Sequence, residues 1–209
     1  MFNSLVSTIL SATLLSSTLL NGLSSEKILA SRQISLEKRY YPVQKENILL
    51  NLAYMNDRVT KKEDINWDEI KKPFWFDFRL EPGQTFAFHN DVLPKYQGKI
   101  ARTTKAHFNW NEGFKSYGYL VGDGVCHLAS LMYWVAKDAG LEAVAPTNHN
   151  FMPIPEISRE YGVSIYNNPL AKGSNVQQNL YITNNKEKTV IFKFEYDGDK
   201  LKATVLESN

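Results

Sequence analysis

The chain contains only one cysteine among its 209 residues, Cys126. A single cysteine excludes an internal disulfide. If the protein is exported, a lone thiol is open to oxidation, so its presence indicates either a protected core position or a reactive group in use. The sequence leaves both interpretations open.

An excess of charge of one sign is also lacking. The 24 basic and 22 acidic residues are well mixed and give a formal net charge of +2. No basic stripe that would follow a phosphate backbone is visible, which argues against nucleic acid as a partner. No internal repeat of about 20–50 residues is present, which excludes a solenoid or propeller. With 43% hydrophobic and 12% aromatic residues, the composition instead predicts one compact domain with short appendages.

The N-terminal apolar stretch, residues 5–20, is shorter than the roughly 20 apolar residues that a membrane-spanning helix needs. It is typical of the apolar part of a signal peptide, with possible cleavage after Ser24 or Ala30. One feature is atypical, since the first basic residue, Lys27, follows the stretch rather than preceding it. No cysteine lies near it, so lipidation is not predicted.

These features predict three parts of the chain. Residues 1–30 are a signal peptide, or an N-terminal anchor if uncleaved; residues 31–43 are a linker; residues 44–209 form one domain. The protein is then exported to the periplasm, cell wall or extracellular space, and it meets a membrane only through its N-terminal segment if that segment is not removed.

Hydrophobic spacing predicts the main elements. Helices are expected over 46–55, over the charged segment 60–70, and most clearly over 125–139, where Gly140 stands at the usual C-terminal glycine position. Strands are expected over 74–80, over a return strand at 85–89, and over 179–183, 189–196 and 200–206, with loops and short strands over 91–118. The fold class is therefore α+β, with an antiparallel sheet packed on a central helix that carries Cys126 at its N-terminus.

A thiol at the first turn of a helix faces unpaired amide groups and the positive end of the helix dipole, which favours the thiolate. Asp123 opposes this effect unless its carboxylate caps the helix, and we interpret it as the N-cap. The amides around Gly124, Val125 and Cys126 could form an oxyanion hole.

A thiol nucleophile usually needs a nearby imidazole, and the chain has four histidines: His89, His107, His127 and His149. On a helix the residue after Cys126 points about 100° away, so the ring of His127 does not easily reach the sulfur. His149 lies where the chain should return beside the helix, and we favour it as the base. A structural role is the alternative for each histidine. Zinc ligation by Cys126, His127 and His149 fits no compact ligand spacing, so neither a metal nor a cofactor is predicted.

Over residues 46–194 the chain resembles the VanW-like family of bacterial cell-envelope proteins. The landmarks appear in the expected order: Glu46-Asn47-Ile48 at a helix start, Glu81-Pro82-Gly83-Gln84-Thr85-Phe86-Ala87-Phe88, Gly122-Asp123-Gly124-Val125-Cys126, Ala139-Gly140-Leu141, His149, and Leu180-Tyr181-Ile182-Thr183-Asn184.

The chain departs from the family pattern at three positions. His127 stands where the family usually has Gln, Asp123 replaces its middle glycine, and Gly162 stands where an Asp commonly follows the histidine. If that Asp orients the imidazole, Glu160 or Asn150 would have to replace it.

The resemblance implies a role at the cell wall. Family members occur near glycopeptide-resistance genes, and some VanW domains are understood to act as cysteine L,D-transpeptidases on peptidoglycan. The leading hypothesis is an acyl transferase in which Cys126 attacks a stem-peptide amide and His149 is the base. A non-catalytic wall-binding or structural module is the first alternative, and a papain-like or transglutaminase-like cysteine peptidase or amidase is the second. The partner is peptidoglycan or another peptide, and the oligomeric state stays open.

Overall fold

The computed structural model describes residues 26–118 and 121–209. Of the predicted signal peptide or anchor, residues 1–30, residues 1–25 lie outside the described residues. Within the described part, none of the helices has the length and apolar character needed to cross a membrane.

In the described residues, the fold consists of two four-stranded sheets, two helices of 14 residues and two short helices. The first sheet has the order β1-β8-β7-β2 with every pair antiparallel, and the second has the order β4-β3-β6-β5 with only the β3–β4 pair parallel. The strands are β1 (Lys27–Ser35), β2 (Phe74–Leu80), β3 (Thr85–Ala87), β4 (Ile100–Arg102), β5 (Glu142–Val144), β6 (Tyr181–Thr183), β7 (Val190–Tyr196) and β8 (Lys200–Glu207), and the helices are α1 (Pro42–Met55), α2 (Trp67–Ile70), α3 (Val125–Asp138) and α4 (Lys172–Asn175).

The predicted α+β class is confirmed, with two sheets rather than one. In the first sheet, the alternating aromatic residues of β2 pack on those of β7, and the rings of Phe78 and Phe192 stack with their centroids 5.1 Å apart. The predicted return strand after β2 is wrong in its pairing. The segment that follows the Glu81–Gly83 turn becomes β3, which enters the second sheet and pairs with β6.

The predicted linker over 31–43 is also wrong. Residues 27–35 form β1 and pair antiparallel with β8 from Lys27↔Glu207 to Ser35↔Lys200. Helix α1 then begins at Pro42, four positions before the predicted helix start. The domain therefore includes β1, and a cut after Ala30 would remove the first part of a paired strand.

The segment predicted as one surface helix over 60–70 instead forms two short turns. A 3₁₀ turn spans Lys62–Asp64, and α2 starts anew because the side chain of Asn66 accepts hydrogen bonds from the backbone amides of Asp68 and Glu69. This change lies away from the thiol.

Helix α3 positions the thiol. It contacts β1, β8, β5 and α1, and its residues Leu128, Met132 and Val135 are completely buried. The helix starts after Gly124, whose φ of +101° favours glycine. A Cβ at this position would lie 2.5 Å from the carbonyl oxygen of Gln44 in α1. The two helices therefore meet closely at the point where Cys126, the second residue of α3, is placed.

Candidate functional site

A pocket of about 480 Å³ opens at the N-terminus of α3. Cys126, His127 and His149 all line it, together with Gly124 and Val125. The structure thus brings the predicted nucleophile, the predicted base and the predicted amide groups to one cavity.

Cys126 is partly exposed as a residue because it forms part of the pocket wall, but its sulfur is enclosed between α3 and the segment around Ile165. Sγ donates to the carbonyl oxygen of Ile165 at 3.6 Å and accepts from the amide of the same residue at 3.4 Å. Within the described residues, Sγ has no hydrogen bond to an imidazole. Burial raises the pKa of the thiol to about 11, and the carboxylate of Asp123 adds to this, whereas the amides of Ile165 and Cys126 act in the opposite direction. The expected low pKa of the thiol is therefore wrong for this state of the protein.

Asp123 does not cap α3, so its predicted N-cap role is wrong. The cap residue is Gly124, and no side chain caps the helix. The carboxylate of Asp123 instead accepts the amide of Tyr117 at 2.7 Å, which holds the preceding loop.

The amides at the start of α3 fall into two groups. Val125 donates to the carbonyl oxygen of Gly122 at 3.0 Å, and His127 donates to that of Gly124 at 2.9 Å. Among the described residues, the amides of Gly124 and Cys126 donate to no other residue. The amide of Gly124 therefore remains for a ligand oxygen, whereas that of Cys126 lies against its own sulfur and that of Val125 is occupied.

His149 lies in the loop after β5 and is only 6% exposed. Its Nδ1 is buried and has no hydrogen-bond partner within the described residues, and its ring packs against Phe151 with the centroids 4.1 Å apart. Burial lowers the pKa of this imidazole, and the backbone of Met152 offsets the effect only in part. The ring is therefore neutral at pH 7, with one nitrogen lone pair free to accept a proton.

Neither proposed orienting residue contacts the imidazole through a hydrogen bond. Glu160 and Asn150 are both exposed, and Nδ1 of His149 is unpaired. Gly162 adjoins the histidine loop, since a Cβ built on it would be 3.2 Å from the carbonyl oxygen of His149. A side chain at this position would thus stand next to the histidine loop, and glycine leaves that place without a carboxylate.

His127 contacts Arg39, a residue that the sequence did not identify as part of the site. Its Nδ1 lies 3.1 Å from a guanidinium nitrogen of Arg39, in the segment between β1 and α1. The side chain of Arg39 is 1% exposed and also pairs with Glu156 at 3.4 Å. Burial, Arg39 and His149 together lower the pKa of His127 to about 3. Arg39 precedes its partner by 88 positions, so no local sequence pattern could have identified the pair.

The other two histidines have structural roles. His89 is buried and bonds through Nε2 to the carbonyl oxygen of Gln178 at 3.0 Å, with Asn179 at its other nitrogen. His107 pairs through Nδ1 with Glu112 at 2.9 Å. The described residues contain no group of three or more side chains arranged to hold a metal ion.

The rim of the pocket is aromatic. Tyr41 and Tyr117 stack with their ring centroids 3.5 Å apart, and Phe151 is 74% exposed. Asn167 and Asn168 add amide groups to the wall. Apolar walls with a few polar groups are typical of sites that bind small molecules or short peptides.

Comparison with known proteins gives a family but no individual relative. No curated protein and no solved structure matches the chain. The family model described as VanW like protein matches residues 77–206, which is more than half of the chain and includes α3, Cys126 and His149. The chain therefore belongs to the VanW-like family, whose proteins are associated with the cell envelope.

Proposed function

We propose that this cell-envelope protein is exported and binds peptidoglycan stem peptides in the pocket at the start of α3, with Cys126 as a neutral thiol. The observation that carries the proposal is the setting of the sulfur: it bonds to the backbone of Ile165, it has no imidazole partner among the described residues, and burial raises its pKa to about 11. At pH 7 such a thiol is ionised in roughly one molecule in 10,000. In this proposal the free protein acts as a binding module.

The pocket suits a peptide in size and in chemistry. Its volume of about 480 Å³ lies within the range of about 300–1,000 Å³ that is usual for ligand sites. The amide of Gly124, which has no hydrogen-bond partner among the described residues, can donate to a peptide carbonyl, and exposed Phe151 and Tyr117 offer apolar contact at the rim. Peptidoglycan stem peptides combine carbonyl acceptors with small apolar side chains, which match these groups.

Binding is tested by titrating the purified protein with muropeptide monomers released from peptidoglycan. We expect saturable binding that Cys126→Ser preserves within about threefold, because a hydroxyl keeps the polar contact and no covalent step is needed. A parallel measurement follows alkylation of Cys126 by iodoacetamide against pH. The rate should still rise above pH 9, and denatured protein should show an ordinary thiol profile. A folded thiol that reacts faster than free cysteine at pH 7 would contradict the binding proposal.

An acyl transferase is the second candidate, and one observation favours it: Gly124, Cys126 and neutral His149 line the same cavity. In this mechanism a bound peptide brings the thiol and the imidazole together. His149 takes the thiol proton, the sulfur bonds to the carbonyl carbon, and the amide of Gly124 stabilises the oxyanion. The C–N bond then breaks, the amine leaves with the proton from His149, and a thioester remains.

The fate of the thioester separates transfer from hydrolysis. An amine acceptor gives a new cross-link, whereas water gives a shortened peptide, as in a cysteine peptidase or amidase. Intact-mass measurement after incubation with muropeptides would reveal an acyl adduct on the wild-type protein that is absent from Cys126→Ser. An unchanged protein mass together with unchanged muropeptides would exclude both enzymatic candidates and leave the binding module.

A further inference from the structure

The Arg39–His127 contact has a direct chemical consequence. A guanidinium group can only donate hydrogen bonds, because all its nitrogens carry hydrogen and none can act as an acceptor. Because Arg39 meets Nδ1 of His127 at 3.1 Å, Nδ1 must be the acceptor and cannot carry a proton. The remaining proton of the neutral imidazole then sits on Nε2.

Arg39 is itself held in place, so the contact is not a surface encounter. Its side chain is 1% exposed, and its guanidinium also faces the carbonyl oxygen of Pro155 and the carboxylate of Glu156, both at 3.4 Å. Glu156 in turn accepts the backbone amide of Ser35 at 2.6 Å. The histidine is thus tied through Arg39 to the end of β1 and to the loop after His149.

The second nitrogen of His127 is left for the pocket. His127 is 3% exposed and lines the cavity, and within the described residues its Nε2 has no hydrogen-bond partner. Nε2 is not one of the fully enclosed side-chain atoms that lack a partner, so it is open to the pocket, where a ligand oxygen can accept its N–H.

We propose that His127 is a specificity-determining residue: Arg39 fixes its imidazole as a neutral donor, and Nε2–H binds a carbonyl or carboxylate oxygen of the ligand. The inference rests on the proposed peptide-binding function and adds the group that the ligand must present. A ligand with an N–H group at this place is rejected, because two donors would face each other.

The donor persists over a wide pH range because of the charges around it. The groups that face His127 are Arg39 with its partner Glu156, the neutral ring of His149 at a centroid distance of 6.3 Å, and the adjacent Cys126 thiol, with Asp123 at the same helix start. Burial is the main cause that lowers the pKa of this imidazole, and the positive charge of Arg39 adds to it, so the ring stays neutral at the pH of the cell envelope.

Ring-nitrogen NMR of the full chain labelled with ¹⁵N-histidine tests the first half of the proposal. We expect His127 to show protonated Nε2 and unprotonated Nδ1 from pH 8 to pH 5 without titrating. In Arg39→Met the proton should no longer be confined to Nε2, because the guanidinium that occupies Nδ1 is gone. A wild-type His127 that protonates above pH 5, or that carries its proton on Nδ1, would overturn the proposal.

Binding of muropeptide monomers tests the second half. His127→Gln retains an N–H donor and should bind within about threefold of the wild type, whereas His127→Leu should bind about tenfold more weakly, which is the usual effect of one lost hydrogen bond. Muropeptides with an amidated C-terminus distinguish a carboxylate acceptor from a backbone carbonyl. Equal affinity of the Gln and Leu variants would refute the donor role.

The two proposals fail in different ways. If wild-type protein binds no muropeptide, the proposed function is refuted and the donor has no ligand, although the NMR tautomer still reports whether Arg39 fixes the ring. If muropeptides bind but the Leu variant is unaffected, the function stands and the role of His127 is wrong.

Discussion

Replacing Gly124 with alanine should destabilise the protein more than Gly198→Ala or Gly173→Ala does. A residue other than glycine at φ +101° is strained by about 1–2 kcal/mol. The added Cβ would also lie 2.5 Å from the carbonyl oxygen and 2.8 Å from Cα of Gln44, both of them backbone atoms that cannot rotate away. Overpacking of this kind adds about 1–3 kcal/mol, so the total is about 2–5 kcal/mol.

Two glycines separate these contributions. Gly198 has a φ of +112° with no atom within 4 Å of a built Cβ, so Gly198→Ala should cost only the conformational part, about 1–2 kcal/mol. Gly173 has neither a positive φ nor a neighbour within 4 Å, so Gly173→Ala should change stability by no more than about 1 kcal/mol and can be stabilising.

Urea unfolding followed by far-ultraviolet circular dichroism measures all three variants. For a chain of this size, a loss of about 3 kcal/mol corresponds to a decrease in Tm of roughly 6–12 °C. The reasoning is refuted if Gly124→Ala is no less stable than Gly198→Ala, because α1 would then yield to the new methyl group at no cost. Peptide binding should weaken in parallel, since Gly124 and Gln44 both line the pocket.

Three further predictions concern buried or paired polar groups. Burial and Arg39 lower the pKa of His127 to about 3, so the imidazole favours folding above pH 6.5 and this contribution to the free energy of unfolding is lost as the pH falls. From this group alone, the protein should be about 2 kcal/mol less stable at pH 5 than at pH 7. In urea titrations at the two pH values, His127→Gln should reduce that difference. In the same assay, Asn47→Ala should lower the free energy of unfolding by about 3 kcal/mol or more, because the side-chain amide holds Lys115 and Asp123 through three hydrogen bonds of 2.8–2.9 Å. Asn51→Leu should be neutral or stabilising, because both polar atoms of this buried side chain lack partners among the described residues. Glu112 raises the pKa of His107, so this pair stabilises the fold fully below about pH 6.5 and progressively less as the pH rises through the raised pKa. Glu112→Gln should abolish this pH dependence of stability. An unchanged pH profile in the variant would contradict the pairing.

The elements that the sequence predicted well are those whose signal is local. The 3.6-residue spacing of apolar residues and the terminal Gly140 are sufficient for α3, and Asp197-Gly198 between two alternating runs is sufficient for β7 and β8. Strand β1 is not evident from the sequence, which assigns residues 27–30 to the signal segment and 31–35 to a linker, because the strand is mostly polar and only Ile34 is fully buried. Its place depends on the ladder offered by β8 at the other end of the chain, which no local pattern reports.

The site shows the same division. Cys126 and His149 line one cavity because the first stands at the start of a helix and the second in a loop that returns beside it. The sequence predicts both of these placements. The pairing of Arg39 with His127 and the hydrogen bonds of the sulfur with Ile165 join residues 88 and 39 positions apart. Such contacts decide the charge of each group, and they depend on packing rather than on spacing.

The protonation of the thiol follows from a comparison of two magnitudes. A helix N-terminus stabilises a nearby negative charge by about 0.3–1 kcal/mol, and by up to about 2 kcal/mol in favourable buried geometry. A pKa of about 11 instead of 9.0 means a net disadvantage of the thiolate on the order of 2–3 kcal/mol, so burial outweighs the dipole even with the amide of Ile165 assisting it. A bound peptide could reverse this balance only by bringing the free lone pair of His149 to the sulfur. The decisive measurement is therefore the alkylation rate of Cys126 at pH 7 with and without muropeptide: an unchanged rate fits a binding module, and acceleration on binding would show that the ligand itself assembles the nucleophile.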